Sequence, residues 1–238
     1  KNLIKLQTSD VEKNALNDDI IGLVKHKNVT ERDEFKIKYK GEIEEMVNKL
    51  KTYAKSNKTD EHEFIADKDG VIIADSDEEY LNSDLSQNDY AKKALNGSPS
   101  VSSVYTSVVN FKPVVTFVQP IKDENNKVIG MAGKSVFIDY FSQRFDKFKF
   151  LDDGFLFVVD SSQNIIYHPD KNLINKKLDI PELISITKDK KSFQKSDMKE
   201  FTYKSGKDKF NAFYISVPEL KSLVVLTVNE NNMKRDRK

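Results

Sequence analysis

Residues 64–85 read FIADKDGVIIADSDEEYLNSDL and residues 157–178 read FVVDSSQNIIYHPDKNLINKKL, and the two stretches align without a gap, 93 positions apart. Seven of the 22 aligned pairs are identical: Phe64/Phe157, Asp67/Asp160, Ile72/Ile165, Ile73/Ile166, Asp77/Asp170, Asn82/Asn175 and Leu85/Leu178. A match of this length at a fixed offset predicts one supersecondary unit that is used twice. The alternative is chance similarity between two hairpins of similar composition.

Each copy is followed by the same predicted order of elements. In the first copy, Asp69-Gly70 between two short apolar runs is a strong hairpin signal, and a short helix is expected at 84–95 before Asn96-Gly97. Further strands of the first module are expected at 101–109, 113–121 and 127–138, followed by an amphipathic connector at 139–148. In the second module, strands are expected at 155–159, 164–168, 193–204, 207–217 and 222–229, with a helical stretch around 179–191. This order of elements predicts a roughly five-stranded antiparallel sheet in each module. Because strands follow strands with few helices between them, the predicted fold class is α+β.

The segment before the first copy predicts helices. Apolar residues recur at helical spacing, and Thr30 followed by Asp33 has the character of a capping box. We expect one helix to about residue 27, a break, and a long helix from about 31 to 56. Such helices usually pack on a sheet, and the other interpretation is a rod that runs from a membrane.

Composition excludes several classes of protein. The 238 residues carry a formal net charge of +1, so no global basic field favours nucleic acid. The absence of cysteine rules out disulfides, zinc-thiolate sites and cysteine nucleophiles. The longest apolar run, residues 223–228, has the length of a strand and not of a membrane span. Because the chain starts without methionine, we expect it to be the excised soluble piece of a longer protein.

Several motifs in this order resemble the double Cache (dCache_1) extracytoplasmic sensor domains of bacterial methyl-accepting chemotaxis receptors and sensor kinases. The residues that carry the resemblance are 67–74 (DKDGVIIA), 84–94 (DLSQNDYAKKA), 114–120 (VVTFVQP), 126–130 (NKVIG) and 160–169 (DSSQNIIYHP). The resemblance implies tandem PAS-like modules: a helical rod at 1–57, a membrane-distal ligand-binding module at 58–145 and a membrane-proximal module at 146–238. It also implies membrane segments on both sides of the chain in the full-length protein.

The resemblance also implies a set of ligand-binding residues. Many amino-acid-binding members use an arginine, an aromatic residue and a tyrosine near the capping helix, then a second tyrosine and an aspartate. Tyr90 and Tyr105 match the two tyrosines, but Gln87 stands at the arginine position and Asp89 at the aromatic one. The aspartate position falls at Lys134 or Ser135. The usual amino-acid motif is thus incomplete, and we expect a ligand with a cationic or donor-rich end near Asp89, or an anionic end near Lys134.

Other chemistry finds little support in the sequence. Asp67 and Asp69 before Gly70 suggest the start of a calcium loop, but residues 71–73 are an apolar strand, so a plain hairpin turn is favoured. The corresponding turn in the second copy, at 160–163, loses the pattern. The three histidines share no metal-ligand spacing, His168 is expected to be structural, and no nucleophile elbow or phosphate loop occurs. We expect no catalytic residues, no metal and no cofactor.

These expectations combine into one functional hypothesis. The chain is expected to be the small-molecule-sensing extracytoplasmic part of a membrane-anchored receptor, most of all a chemotaxis receptor, and not an enzyme. Alternatives are the sensor domain of a histidine kinase or cyclic-dinucleotide enzyme, or a secreted hydrolase or surface-attachment module. The predicted partners are a small solute, bound directly or through a carrier protein, and a second copy held weakly through the N-terminal helices.

Overall fold

The computed structural model describes residues 2–56, 59–138 and 154–230, so the predicted connector at 139–148 lies outside the described residues. The chain divides into a first unit, Lys1–Ser102 with Ser107–Phe137, and a second unit, Ser103–Thr106 with Ile138–Lys238. The helices before residue 57 belong to the first unit and pack on its sheet.

The first unit opens with the helices α1 (Asn2–Ala15), α2 (Asp18–Asn28), α3 (Arg32–Lys38) and α4 (Lys40–Ser56). The two long helices predicted here are therefore each divided in two. The first break occurs because the Asn17 side chain caps α2, accepting the backbone N–H of Asp19 at 3.0 Å and of Ile20 at 3.3 Å. The second occurs at Tyr39, which leaves helical geometry while its ring stacks on His26 with centroids 4.3 Å apart.

The first sheet is covered on both faces. Its strands are β1 (Asp60–Asp67), β2 (Ile72–Asp75), β3 (Ser100–Val101), β4 (Tyr105–Thr106), β5 (Pro113–Lys122) and β6 (Val128–Phe137), and its main path runs β2-β1-β6-β5-β3. The helices α1, α2 and α4 pack on one face, and α5 (Asp89–Leu95) packs on the other. The strand predicted at 101–109 is divided into β3 and β4. It ends at Thr106, because the Ser107 hydroxyl accepts the N–H groups of Val109 and Asn110 and closes a turn.

Close packing under α5 depends on one glycine. Gly133 of β6 pairs with Phe64 of β1 across the sheet, and the Phe64 ring lies directly over it. A Cβ at position 133 would lie 2.1 Å from Phe64 Cζ, so any larger residue must displace the ring. The ring is 1 % exposed and forms the centre of the core beneath α5.

The second unit repeats the strand order of the first. Its strands are β7 (Phe155–Asp160), β8 (Ile165–Tyr167), β9 (Lys199–Ser205), β10 (Asp208–Val217) and β11 (Ser222–Asn229), in the order β8-β7-β11-β10-β9. The helix α6 (Pro181–Lys188) contributes the fully buried Leu183 to the core of this unit. The strand predicted from residue 193 begins at Lys199, because Phe193 ends a short 3₁₀ helix capped by Asp189.

The sequence repeat corresponds to a repeated set of hydrogen bonds. Asp67 Oδ1 accepts the backbone N–H groups two and four residues on, and Asp160 Oδ1 does the same in the second unit. In each copy an asparagine at positive φ donates its backbone N–H to the strand: Asn82 (φ +68°) to the Ile72 carbonyl, and Asn175 (φ +65°) to the Ile165 carbonyl. The residue after it, Ser83 or Lys176, accepts the N–H of the same isoleucine. Two of the seven identical pairs, Asp67/Asp160 and Asn82/Asn175, therefore define the turn by a side chain or a backbone angle, as duplication predicts.

The turn of the second copy keeps the backbone shape of the first, although its sequence at 160–163 lacks the aspartate and glycine of residues 69 and 70. Gly70 has φ +83°, and its counterpart Gln163 has φ +67°. The carbonyl of each accepts the N–H of the equivalent leucine, Leu85 or Leu178, at 2.9 and 2.8 Å. The left-handed conformation is thus retained without glycine, which costs backbone strain that Gly70 avoids.

Candidate functional site

The helix α5 lies over the sheet of the first unit through two alanines. Ala91 and Ala94 are fully buried against Phe64, Val118 and Met131, and Tyr90 is partly buried at the border of the same cluster. The Asn88 side-chain amide donates to the Tyr90 hydroxyl at 3.3 Å. The small alanines let the helix approach the sheet closely, and this packing places Tyr90 at the edge of the contact.

Two predicted site residues precede or begin α5 and are exposed. Asp89 is the first residue of the helix, and Gln87 donates from its amide to Ser86 Oγ at 3.3 Å. Tyr105 lies in β4 and is 38 % exposed, and residues 103–106 group with the second unit.

Ser135 belongs to a buried group of hydroxyls on the face of the sheet that α5 covers. Its Oγ lies 2.8 Å from Thr116 Oγ1, and both residues are fully buried. Ser102 Oγ accepts the Thr116 backbone N–H at 2.9 Å, while the Ser102 N–H donates to the Thr116 carbonyl. Sequence reasoning missed Ser102 and Thr116, because a hydroxyl within an apolar strand carries no distinctive pattern.

Lys134, although adjacent to Ser135, lies on the opposite face of the sheet. It is 1 % exposed, and its Nζ lies 2.8 Å from Asp60 Oδ2, 3.6 Å from Asp10 Oδ2 and 3.9 Å from Glu63 Oε1. Successive side chains of a strand point to opposite faces, so the structure does not bring Lys134 together with Tyr90 or Ser135.

Lys134 and the three carboxylates around it join α1 to the sheet. We call this group the lysine cluster (Asp10, Asp60, Glu63 and Lys134). Asn14 of α1 adds a hydrogen bond from its amide to Glu63 Oε2 at 3.0 Å. Burial raises the pKa of Glu63 to about 7, the Lys134 charge opposes that rise, and the nearby Asp60 adds to it. One buried ammonium thus faces three acids, and a proton on Glu63 relieves the excess negative charge.

A second buried polar group lies on the α5 face, at β1 and β2. His62 Nδ1 is 2.8 Å from Asp75 Oδ2, and the imidazole stacks on Tyr80 with centroids 3.8 Å apart. The Tyr80 hydroxyl donates to Glu61 Oε1 at 2.8 Å and lies 2.9 Å from Ser107 Oγ. Burial raises the pKa of Asp75, and the His62 hydrogen bond opposes that rise. Sequence spacing gave no signal for this group, since its members come from separate strands and loops.

No group of histidine and acidic side chains suited to a metal ion occurs among the residues the structure describes. His168 accepts the Asp170 N–H at 2.9 Å and packs against Phe155 and Phe157, and burial lowers its pKa. Within the described part of the chain, no helix is both long and apolar enough to cross a membrane.

Two antiparallel sheets of equivalent strand order, with helices leading into the first, define the tandem Cache class of α+β, PAS-like sensor folds. Residues 5–235 match the Cache domain family dCache_1, and the chain belongs to that family. This match spans nearly the whole chain and includes the N-terminal helices.

Known proteins share parts of the sequence or the fold. An 88-residue stretch is 30 % identical to the methyl-accepting chemotaxis protein PscA of Pseudomonas syringae, and covers 36 % of this chain but only 14 % of that protein. The sensor domain of the Vibrio cholerae histidine kinase DctB superposes with a TM-score of 0.72 at 9 % identity, over 96 % of this chain and 91 % of that one. The ligand-binding domain of the Campylobacter jejuni chemoreceptor Tlp3, solved with 4-methylisoleucine, gives 0.60 at 17 % identity, over 97 % and 89 %. At these identities the structural likeness shows the fold.

Proposed function

We propose that the chain is the extracytoplasmic small-molecule-sensing domain of a transmembrane signalling receptor, most of all a chemotaxis receptor. Membership of the Cache family and the sequence match to a methyl-accepting chemotaxis protein support this proposal. The observation that carries it is the buried group of three hydroxyls, from Ser102, Thr116 and Ser135, on the sheet face that the short helix α5 packs on through alanines. A helix that packs through small side chains can move to admit a solute, and the hydroxyls can orient the solute by hydrogen bonds.

The proposed contacts are Tyr90, Tyr105, Asp89, Gln87 and Ser135. Asp89 supplies the exposed negative charge at the helix, so a ligand with a cationic or donor-rich end suits this face.

The alternative of an anionic ligand end at Lys134 loses its support, because that ammonium already faces three carboxylates on the other side of the sheet. We therefore propose that Lys134 acts through α1 and not by touching the ligand.

Signal transfer is proposed to begin at β6. This strand carries Ser135 toward α5 and Lys134 toward α1, so a displacement caused by a ligand on one face reaches the helix on the other. The strand leading to the C-terminal end, β11, would then shift relative to the N-terminal helices. The ligand must bind two conformations with different affinity for any such shift to occur. Membrane anchoring and weak pairing of two copies through the N-terminal helices belong to the same proposal.

A thermal-shift screen against a metabolite library tests the ligand-binding role. A solute present at 100 times its Kd stabilises the folded state by about 2.7 kcal/mol, which corresponds to a rise in Tm of about 5–10 °C for a chain of this size. The positive solute is then titrated by calorimetry into Tyr90→Ala and Tyr105→Ala, and we expect loss of binding in both. Tyr53→Ala, at an exposed tyrosine of α4, is the matched control and should bind normally. Normal affinity in all three variants would contradict the assignment of the ligand site to the α5 face.

The class of output is tested with the full-length protein. Ligand-dependent methylation of the cytoplasmic part supports a chemotaxis receptor, and ligand-dependent autophosphorylation supports a histidine kinase, the class to which the structurally similar DctB sensor belongs. Turnover of ester or glycoside substrates by the chain itself would favour the hydrolase alternative.

A further inference from the structure

The first unit contains a cavity beside its N-terminal helices, whose lining includes none of the proposed solute contacts around α5. It has a volume of about 530 Å³ and lies between the helices α2 to α4 and the β1–β2 hairpin. This volume falls in the range of sites that bind small molecules. We call it the helix-side cavity.

The floor of the helix-side cavity is apolar. Phe35 and Ile72 are 2 % and 1 % exposed and form part of the core, and Ile43, Ile73 and Leu81 complete the floor. An apolar body of a ligand would bury surface here at little cost, because these side chains are already held by the core.

The charged groups at the cavity leave an excess of positive charge. Lys27 Nζ lies 3.4 Å from Asp67 Oδ2, and Lys40 Nζ lies 3.7 Å from Glu44 Oε1, so these two cations have carboxylate partners. Arg32 and Lys36 also line the cavity, and within the described residues neither forms an ion pair.

Arg32 and Lys36 stand four residues apart on α3, on one side of the helix. The remaining acidic side chain of the lining is Asp69, on the opposite hairpin. Two cations on a single helix face thus stand above an apolar floor.

We propose that the helix-side cavity binds an amphipathic carboxylate. Its carboxylate accepts hydrogen bonds from the Arg32 guanidinium in bidentate geometry and from the Lys36 ammonium, and its apolar part lies on Phe35, Ile43 and Ile73. Such a ligand joins α3 to the β1–β2 hairpin. The site is separate from the proposed solute site under α5, and it gives the sensor unit a second input through its N-terminal helices.

The test uses sodium octanoate as the probe, with octanamide and octylamine as the neutral and cationic analogues. Titration followed by amide chemical shifts should show saturable binding of octanoate with changes at α3 and the β1–β2 hairpin. Octanamide and octylamine should bind at least tenfold more weakly. Equal binding of the three probes, or changes confined to other surfaces, would overturn the proposal.

A double variant, Arg32→Gln with Lys36→Gln, should weaken octanoate binding at least tenfold. The matched control, Lys127→Gln with Lys207→Gln, removes the same charge from exposed positions outside the cavity and should bind octanoate as the wild type does. Unchanged affinity in the first variant, or equal loss in both, refutes the assignment. Because Tyr90→Ala leaves this cavity intact, it should retain octanoate binding, so failure of the α5 site and failure of the helix-side cavity give different results.

Discussion

Replacement of Glu63 by glutamine should change how the stability of the protein depends on pH. Glu63 is 3 % exposed and lies between Lys134, Asp60 and Asp10, with its Oε2 accepting a hydrogen bond from the Asn14 amide. Glutamine has nearly the same shape and still offers an oxygen to Asn14. It differs from glutamate in having no charge to lose or gain, so the substitution isolates the titration of this one side chain.

The magnitude follows from the displaced pKa. Burial raises the pKa of Glu63 from its ordinary 4.5 to about 7, so the folded chain holds this proton more tightly than the unfolded chain. Its contribution to stability is therefore complete below about pH 4.5 and is lost as the pH rises through about 7. By proton linkage, this difference in pKa between the folded and unfolded chain corresponds to a change in the free energy of unfolding of about 3 kcal/mol. Between pH 4.5 and pH 8, the Glu63→Gln variant should gain up to about 3 kcal/mol relative to the wild type.

Urea unfolding at a series of pH values and constant ionic strength measures this difference. The chain lacks tryptophan, so the transition is followed by circular dichroism at 222 nm, and constancy of the m value is verified at each pH. Glu219→Gln, at an exposed turn of the second unit, is the matched control, and its profile should run parallel to that of the wild type. A Glu63→Gln profile that also runs parallel to the wild type over the whole range would refute the reasoning.

Three further substitutions, each measured by urea unfolding at pH 7, test the packing described above. Gly70→Ala should lower the free energy of unfolding by about 1–2 kcal/mol, because Gly70 has φ +83° and a Cβ would lie 3.0 Å from the Ser86 nitrogen. Gly133→Ala should lower the free energy of unfolding by about 1–3 kcal/mol, because the added methyl group overpacks against Phe64. The further change Phe64→Leu should restore part of that stability, and no restoration would contradict the contact. Lys134→Met should cost about 3–5 kcal/mol, since it leaves buried carboxylates without their cation; a neutral effect would show that the lysine cluster is solvated.

The double-sheet architecture could be predicted from the sequence because the repeat resides in residues with fixed geometric roles. Asp67 and Asp160 bind the backbone N–H groups of their turns, and Asn82 and Asn175 supply positive φ where the following loop returns to the strand. Few other residue types perform either role, so both copies retain them although most of the 22 aligned pairs differ. Gln163 shows the limit of this reasoning, because the turn around it keeps a left-handed residue without the glycine that would reveal it.

The helix breaks could not be predicted to the residue. Tyr39 and its neighbours continue the helical spacing of apolar residues, so periodicity alone carries the helix through this point. The break depends on a tertiary contact, the stacking of Tyr39 on His26 of the preceding helix, together with a glycine two residues further on that lowers helical propensity. A contact between separate helices has no signature in a window of local sequence.

The ambiguity between Lys134 and Ser135 has a physical origin in the covering of β6 on both faces. A strand with one wet face alternates apolar and polar residues, and that alternation tells which side chains share a face. In β6 every residue from Ile129 to Val136 is buried, because α1 and α2 cover one face and α5 covers the other. The sequence could therefore locate the strand but not assign its faces. Gly133 resolves the assignment once the structure is known: the Phe64 ring above it marks the α5 face, so Ser135 belongs with the ring and Lys134 with the carboxylates of α1 and β1.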